Sequence, residues 1–301
     1  MTKSTERQRK PRRTVKYRKA RIRHFLLTTG PNTLTRGWLN RRHHRAGVVV
    51  REVEINAPQW PKAFDGIRIG HISDLHVGDL LDVERALQIV SQLRDAAPDM
   101  ICNTGDLVDL HWPGSEPVAE ALGSIKAPLG NFFVLGNHDE LDSGEEVERM
   151  VAASGTTVLH DDVALVRRGD DVLRVGGIIW ARTPVHCQQR IDTALGSESV
   201  DLLLSHNPKA FDYAAERAVA LTLSGHTHGG QIARRNRPNA NMAIFHGHRR
   251  NAGIYDIDDA RLFVTVGAGA LFALRWNVPA EIAILTVRCG PSAQEEAAPN
   301  A

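Results

Sequence analysis

A chain of 301 residues, with 42% hydrophobic and 24% charged residues, has the composition of an ordinary folded protein and the length to bury a substantial core. Its three cysteines, Cys102, Cys187 and Cys289, have no CxxC spacing, which argues against a disulfide framework and favours a reducing compartment. The net charge is only +2, and no run approaches the ~18 apolar residues that a membrane-spanning helix needs.

The first 46 residues form a strongly basic arm. They hold fifteen of the 37 Lys and Arg residues but only one of the 35 acidic residues, Glu6, so the arm carries a net charge of +14 and the rest of the chain −12. Residues 14–27, TVKYRKARIRHFLL, fit an amphipathic helix whose polar faces are basic. The apolar residues on part of one face are Val15, Tyr17, Ile22, Phe25 and Leu26. Such a helix suits an anionic membrane surface, and we expect residues 1–46 to associate with one.

Two other interpretations of the arm stay open. Its charge could bind the phosphates of RNA or DNA, although no nucleic-acid-binding motif accompanies it. It could also be a solvated, disordered tail. Arg12 and Arg13 are followed by only a short apolar stretch, Phe25 to Leu27, whereas an export signal needs roughly 7–15 apolar residues. The sequence therefore predicts a cytoplasmic protein that attaches peripherally to the membrane.

From residue 47 onward, short β-rich runs alternate with amphipathic helical stretches. Strands are predicted over 67–73, 100–106, 131–139, 201–208, 221–230, 261–270 and 281–289, with a hairpin over 157–180. Helices are predicted over 81–97, 116–125, 144–153 and 209–217. This alternation indicates an α/β sandwich in a single catalytic domain, residues 47–290, followed by a disordered tail, residues 291–301.

Five of the predicted strands end in polar loops, which read DLHVGD, TGDLVD, LGNHD, LSHNP and SGHTH. Open α/β sheets place ligands at the carboxyl ends of their strands, so these loops are expected to meet at one edge. Asp74 and His76 are separated by one residue and point to the same side of an extended segment, and His226 and His228 have the same spacing. Such pairs can hold one metal ion or two neighbouring ones.

The polar residues of these loops have the chemistry of a transition-metal site. Mixed carboxylate, amide and imidazole ligands suit Mn, Fe, Zn or Co rather than Ca or a thiolate zinc site. The candidates are Asp74, His76, Asp106, Asn137, His138, His206, His226 and His228.

The blocks DLHVGD, GDLVD, GNHD, SH and GHTH, in this order over residues 67–232, resemble the five blocks of the calcineurin-like metallophosphoesterase superfamily. The longer strings SHNPKAFDYAAE and LTLSGHTHGGQI and the closing PAEIAILTV resemble its bacterial branch of YkuE-like and YaeI-like phosphodiesterases. The resemblance implies a four-layer αββα sandwich of two mixed β-sheets flanked by helices.

The resemblance also implies a centre of two divalent transition-metal ions, whose ligands come from all five loops. Three residues would bind one metal: Asp74, His76 and His228. Three would bind the other: Asn137, His206 and His226. Asp106 would bridge the two ions. Two such cations clamp a phosphate and activate a water molecule, so no protein nucleophile is required.

Two further residues are expected to be catalytic. By the resemblance, His138 would contact the phosphate or protonate the leaving group, and Asp139 would orient it. Three residues are candidates for substrate contacts. His111, which follows the Asp106 loop, could line a substrate pocket, and Arg234 and Arg235 lie in an arginine-rich insertion that could bind an anionic group.

One segment departs from the family pattern. Many relatives have a polar RGLGTS-like segment before the final strand, where this chain has VGAGALFALRW, residues 266–276. A positively charged contact with the substrate is therefore expected to be absent or to come from Arg275.

The sequence predicts a metal-dependent phosphodiesterase-type hydrolase of a phosphodiester or pyrophosphate bond. The favoured substrate is lipid-linked or contains a nucleotide, as in hydrolases of UDP-diacylglucosamine, although one large group of those has Arg at the position of His138. One alternative is a nuclease or phosphomonoesterase whose basic arm binds nucleic acid. Another is a non-catalytic metal-bound scaffold, which is disfavoured because no expected ligand is missing.

Overall fold

The computed structural model describes residues 14–234, 237–241 and 249–290, and the predicted tail over 291–301 lies outside these ranges. Within them the strands are β1 (Val48–Ala57), β2 (Ile67–Ile72), β3 (Met100–Asn103), β4 (Asn131–Phe133), β5 (Thr157–Val158), β6 (Asp162–Arg168), β7 (Asp171–Ile178), β8 (Leu202–Ser205), β9 (Leu221–Ser224), β10 (Ala233–Arg234), β11 (Arg237–Asn241), β12 (Gly253–Ile257), β13 (Ala260–Val264) and β14 (Ala280–Cys289).

The helices are α1 (Val15–His24), α2 (Gly30–Leu34), α3 (Trp38–Ala46), α4 (Val83–Asp95), α5 (Glu116–Gly123), α6 (Gly144–Ala153), α7 (Pro184–Leu195) and α8 (Phe211–Glu216). A π-helical turn, Phe25–Thr29, continues α1 into α2. Short 3-10 turns cover Lys62–Phe64, Pro208–Ala210 and His228–Gly230.

Two six-stranded mixed sheets form the centre of the protein. The first has the order β1-β14-β2-β3-β4-β5, with β2 to β5 parallel and β14 antiparallel to β2. The second has the order β12-β13-β9-β8-β7-β6, with β13, β9, β8 and β7 parallel and an antiparallel strand at each edge. Each sheet therefore has a parallel centre whose strands end at one edge.

The strands β8 (LLLS) and β9 (LTLS) are buried at all four positions, as expected for parallel strands that are covered on both faces. Between the sheets, one apolar core joins Ile69 and Phe132 of the first sheet to Leu204, Leu223 and Phe263 of the second. The inner faces of the two sheets therefore pack directly on each other.

Helices cover the outer faces. A second apolar core lies between the first sheet and α4 to α6 and includes Val90, Ile101 and Val147. A third lies between the second sheet and α7 and α8 and includes Ile191 and Leu203. The four layers are helix, sheet, sheet and helix, which confirms the predicted αββα sandwich.

Helix α4 illustrates how the sequence directs this packing. The side chain of its N-cap residue, Asp82, accepts a hydrogen bond from the backbone N–H of Arg85 at 2.9 Å. Its buried residues recur at the spacing of one helix face: Ala86, Ile89, Val90 and Leu93.

Residues 14–46, called here the N-terminal segment, pack as helices against the sandwich. Tyr17 is 1% exposed, and its hydroxyl lies 2.8 Å from Nε2 of His111. The Thr28 hydroxyl donates to the carbonyl oxygen of Leu271 at 3.2 Å, and His44 Nε2 lies 2.8 Å from the carbonyl oxygen of Leu80. Tyr17 therefore faces the protein, away from the apolar residues that the sequence grouped with it.

The outer face of α1 and the π-helical turn presents apolar side chains to solvent. Val15, Ile22, Phe25 and Leu26 are 60 to 69% exposed. No helix in the described part of the chain has both the length and the apolar character required to cross a membrane.

Candidate metal centre

The predicted site residues lie at one edge of the sandwich, in loops that follow the parallel strands of both sheets. The loops after β2, β3 and β4 belong to the first sheet and carry Asp74, His76, Asp106, Asn137 and His138. Those after β8 and β9 belong to the second sheet and carry His206, His226 and His228. The site is thus assembled from both sheets.

Asp74, His76 and His228 form a buried cluster with the geometry of a cation site. His228 Nε2 lies 3.3 Å from Asp74 Oδ1 and 3.1 Å from His76 Nε2. The His76 ring is T-shaped to the His138 ring, with centroids 4.5 Å apart. A carboxylate oxygen and two imidazole nitrogens that converge in this way can hold one metal ion.

A second cluster joins Asp106, His206 and His226, with one ligand atom of each lying within 4.8 Å of the others. His206 Nε2 lies 3.2 Å from Asp106 Oδ2, and His206 Nδ1 lies 2.6 Å from the carbonyl oxygen of Thr104. Because Nδ1 must donate to that carbonyl, Nε2 is the ring nitrogen that faces the carboxylate, and the neutral ring would offer it to a cation.

Asp106 also reaches the first cluster, because its Oδ2 lies 3.6 Å from His76 Nε2. The carboxylate therefore stands between the two groups of ligand atoms.

Unpaired ligand atoms support metal binding. The side-chain oxygen of Asn137 is buried and has no hydrogen-bond partner among the described residues, and His206 Nε2 has none with acceptable geometry. Buried polar atoms without partners are rare in folded proteins and require an explanation. The site residues therefore fit metal ions by donor type, burial and unsatisfied capacity.

Backbone conformation at the site is unusual. Asp74, His76, Asp106, His226 and His228 have φ between 50° and 68°, which is the left-handed region. A non-glycine residue in this region costs about 1–3 kcal/mol and persists only where the surrounding structure enforces it, most often at functional sites. The fold therefore stores strain at five of the seven predicted ligands.

Two glycines let the loops approach each other. A Cβ atom at Gly225 would overlap the carboxylate of Asp74 and the hydroxyl of Ser73, and one at Gly136 would overlap the carboxylate of Asp106. These positions require glycine because ligand side chains occupy the space where a Cβ would be.

Electrostatics keep the Asp106 carboxylate ionised. Burial opposes charge on Asp106, but the facing His206 and His138 outweigh it and hold the pKa of Asp106 well below its usual range. Burial likewise opposes charge on His206, yet Asp106 raises the pKa of His206 to about 9. Burial and then His76 lower the pKa of His228 well below its usual range, so its lone pair is retained.

His138 is oriented by Asp109. Its Nδ1 lies 2.9 Å from the carbonyl oxygen of Asp109 and 3.0 Å from the Oδ1 of that residue, so Nδ1 carries the proton. Its Nε2 is the ring nitrogen left for the cavity formed by the candidate ligands, and Nη2 of Arg23 lies 2.9 Å from it. The backbone N–H of His138 donates to Asp106 Oδ1 at 2.7 Å.

The structure corrects the role predicted for Asp139. Its carboxylate turns back beneath the loops and accepts the backbone N–H groups of Asp106 and Gly136, both at 2.8 Å, and of Val108 at 3.2 Å. Burial and the nearby Asp106 raise the pKa of Asp139 to about 7. Asp139 therefore fixes the backbone of two loops, and Asp109 orients the imidazole of His138.

Of the predicted substrate contacts, the structure places only His111. His111 is not among the residues lining the metal pocket; it lines a neighbouring cavity of about 720 Å³ beneath the π-helical turn. The side chain of Arg234 and the whole of Arg235 lie outside the described residues. Arg275 is partly buried, donates to the carbonyl oxygen of Val266 at 2.8 Å, and lies 3.4 Å from Nδ1 of His228. Burial lowers the pKa of Arg275 to about 10.

The sequence did not single out Arg23. This residue, from α1, lines a cavity of about 70 Å³ together with His76, Asp106, Asn137, His138 and both histidines of the GHTH loop. Leu271 and Asn251 complete part of its wall. A segment expected to lie apart from the site therefore contributes to it.

A family model, calcineurin-like phosphoesterase, matches residues 67–249. The chain belongs to this family. The match spans more than half of the chain and contains every loop of the metal centre, which confirms the resemblance found in the sequence. Residues 67–249 thus form a calcineurin-like phosphoesterase domain.

Similar proteins come from several kingdoms. A protein of Danio rerio, named transmembrane protein with metallophosphoesterase domain, is 32% identical over 61% of this chain, which spans only 45% of that relative's length. The uncharacterized metallophosphoesterase YkuE of Bacillus subtilis is 28% identical over 79% of this chain and 84% of its own length. A solved archaeal phosphodiesterase aligns at 14% identity and a TM-score of 0.37, covering 67% of this chain and 85% of that one.

Proposed function

We propose that this phosphoesterase binds two divalent transition-metal ions, Mn, Fe, Zn or Co, and hydrolyses a phosphodiester or pyrophosphate bond. The position of Asp106 carries the proposal. Its Oδ2 lies 3.2 Å from His206 Nε2 in one cluster and 3.6 Å from His76 Nε2 in the other. A carboxylate between two ligand groups suits a pair of neighbouring cations.

The proposed roles of the protein groups follow from their positions. Asp74, His76 and His228 hold one metal ion, and Asn137, His206 and His226 hold the other. When bound, the ions would polarise the phosphoester and activate the attacking water. His138 directs Nε2 into the cavity, where the doubly protonated ring would donate to a phosphate oxygen or give a proton to the leaving oxygen.

We further propose a substrate that is lipid-linked or contains a nucleotide, held at the anionic cytoplasmic face of a membrane. The basic residues 1–46 and the exposed Val15, Ile22, Phe25 and Leu26 support this, since apolar side chains on a cationic surface suit a lipid interface.

A second exposed group, formed by the N-terminal segment and Trp276, has the same character. Trp38 and Trp276 are 51% and 52% exposed, and the Arg42 guanidinium lies 5.5 Å from the ring centroid of the first and 5.7 Å from that of the second. Aromatic rings beside a cation are typical of membrane interfaces.

Metal analysis of the purified protein tests the metal centre. We expect about two metal ions per wild-type chain, as in other two-metal hydrolases, and weaker binding of both ions with loss of turnover in Asp106→Asn. The exposed carboxylate of Asp95 supplies a matched control, Asp95→Asn, which should keep both metal ions. Full turnover in Asp106→Asn would refute the shared-carboxylate assignment.

A substrate panel tests the chemistry. Bis-p-nitrophenyl phosphate, nucleotide sugars, lipid phosphates, and RNA or DNA should be compared at one metal concentration. We expect turnover of the diester and preferential turnover of a lipid-linked or nucleotide-containing substrate. Preferential cleavage of nucleic acid, with a steep salt dependence that becomes shallower in Lys16→Gln/Lys19→Gln, would instead support a nuclease whose arm binds nucleic acid.

Flotation with vesicles of anionic phospholipid tests the membrane surface. The double variant Ile22→Ser/Leu26→Ser should float less than the wild type, because it removes two apolar contacts from the lipid interface. A matched control, Leu165→Ser/Val185→Ser, changes residues that are 50% and 61% exposed on the sandwich, and it should float normally. Equal flotation of both double variants would contradict the proposal.

A further inference from the structure

The N-terminal segment places a cationic side chain over the metal centre. Among the described residues that line the 70 Å³ cavity, Arg23 is the only lysine or arginine. Its Nη2 lies 2.9 Å from Nε2 of His138. Arg23 forms no ion pair with any carboxylate in the described part of the chain, although acidic residues surround the neighbouring His24. A guanidinium that faces a phosphate-processing site without a carboxylate partner is available for an anion.

The position of Arg23 is fixed by its helix. On the face of α1 that packs against the sandwich, Tyr17 is buried against His111, with 2.8 Å between its hydroxyl and Nε2. His24 Nδ1 lies 3.0 Å from Asp109 Oδ2, and His24 Nε2 lies 3.0 Å from Asp79 Oδ2. These contacts hold α1 against the loops after β2 and β3, so the backbone of Arg23 is anchored on both sides.

The size of the cavity indicates which part of a substrate it takes. Pockets that enclose whole organic ligands have volumes of roughly 300–1,000 Å³, whereas this one has about 70 Å³. A space of this size suits a group no larger than a phosphoryl group, and the organic groups of a substrate would extend beyond it. Arg23 and the histidines that line it are the groups that would contact that phosphate.

We propose that Arg23 binds a non-bridging oxygen of the substrate phosphate, so that helix α1 is a wall of the active site. This rests on the proposed function, because the anion is taken to be the substrate of the metal centre. In this structure the Arg23 guanidinium faces the neutral Nε2 of His138. When substrate binds beside it, the guanidinium would donate to an anionic phosphate oxygen instead. Charge-assisted bonds from a guanidinium to phosphate are stronger than the bond to imidazole that they replace.

The experiment compares Arg23→Ala, Arg23→Lys and the control Arg18→Ala in the full chain, without lipid. Arg18 is also exposed on α1 and lies five residues earlier. Steady-state hydrolysis of bis-p-nitrophenyl phosphate gives kcat and KM, and inhibition by inorganic phosphate gives its inhibition constant. The shift in melting temperature on adding phosphate to the metal-loaded protein measures binding without turnover.

We expect Arg23→Ala to raise KM and the phosphate inhibition constant by roughly 10- to 100-fold, the loss expected for one charge-assisted bond. The phosphate-induced rise in melting temperature should be abolished. Arg23→Lys should lie between Arg23→Ala and the wild type, because an ammonium keeps the charge but loses the planar fork. Arg18→Ala should match the wild type in all three measurements.

The outcomes separate this proposal from the proposed function. If Arg23→Ala leaves the phosphate inhibition constant and the melting shift unchanged, the proposal is overturned while the metal centre stands. A loss of kcat alone, with unchanged phosphate binding, would also overturn it and assign Arg23 to the positioning of His138. The wild type could instead show a phosphate-induced melting shift without any metal-dependent hydrolysis. If Arg23→Ala then lacks that shift, Arg23 binds phosphate and the proposed function fails.

Discussion

The Oδ1 of Asp109 lies 3.0 Å from Nδ1 of His138, and this contact determines which ring nitrogen faces the cavity between the candidate metal ligands. The carbonyl oxygen of the same aspartate lies 2.9 Å from the same nitrogen. With two oxygens on one side, the ring keeps its proton on Nδ1 and turns Nε2 toward the cavity. Asp109 thus controls the orientation and the tautomer of the residue proposed to meet the phosphate.

Replacing Asp109 by Asn should lower kcat by about 10- to 100-fold, the usual cost of losing a supporting carboxylate. The amide can present its NH₂ group to Nδ1 and so favour the wrong tautomer. Steady-state kinetics on bis-p-nitrophenyl phosphate measures the effect, with Asp95→Asn as an exposed control. Wild-type kcat in Asp109→Asn would show that the backbone carbonyl alone orients the ring.

Replacing Asp139 by Asn should act mainly on stability. The carboxylate accepts three backbone N–H groups, and an amide would place donors against one or more of them. An unsatisfied buried donor costs about 1–3 kcal/mol. Urea denaturation should therefore give a lower free energy of unfolding than in the wild type. A large fall in kcat with unchanged stability would restore the orienting role that the sequence predicted for Asp139.

Replacing Gly225 by Ala should weaken metal binding. The added methyl group would overlap the Asp74 carboxylate, so either the loop or the ligand must move. A shift of about 1 Å at such a site can cost roughly 100-fold in rate. Gly144→Ala is the matched control, since the nearest atom to its Cβ would lie 3.7 Å away. Metal content and kcat should fall in the first variant and stay unchanged in the second.

Removing metal should lower the melting temperature. Ions that bind only the folded state stabilise it by about 2.7 kcal/mol when present at 100 times their dissociation constant. For a domain of this size, that corresponds to a shift of roughly 5–10 °C. Calorimetry before and after dialysis against a chelator measures the shift, and adding back each candidate metal ranks their affinities. An unchanged melting temperature would contradict ligation by the buried clusters.

The sequence predicted that these five loops meet at one edge because the candidate ligands lie directly after short apolar strands. The runs before Asp74, Asp106 and His226 are apolar enough to identify as strands, and the carboxyl ends of parallel strands meet at one edge. The order of the five loops then supplied the fold through the family resemblance. These features depend on local sequence and were therefore predictable.

Other elements had weak local signals. Helix α7 buries Cys187, Ile191 and Leu195 but has polar residues at most other positions, so its apolar face is narrow. Strand β1 is an edge strand with mainly exposed or half-exposed side chains. The sequence predicted neither α7 nor β1. The conformation of both elements is determined by the strands and helices they pack against, which the local sequence does not show.

The roles of Arg23 and Asp109 depend on tertiary contacts. Arg23 lies among many basic residues, and nothing in its neighbourhood distinguishes it before α1 is placed on the sandwich. Asp109 and Asp139 each follow a ligand loop closely, and only the direction of their side chains determines which one meets His138. Spacing along the chain does not fix that direction.

The division of the ligands between two sheets makes the centre sensitive to sliding of one sheet over the other. Asp106 belongs to the first sheet and His206 to the second, and 3.2 Å separates their facing atoms. A slip of one residue along a strand moves side chains by about 3.3 Å, as much as that whole distance. The apolar layer between the sheets, which includes Phe263, therefore sets the spacing of these facing atoms as well as the stability of the fold.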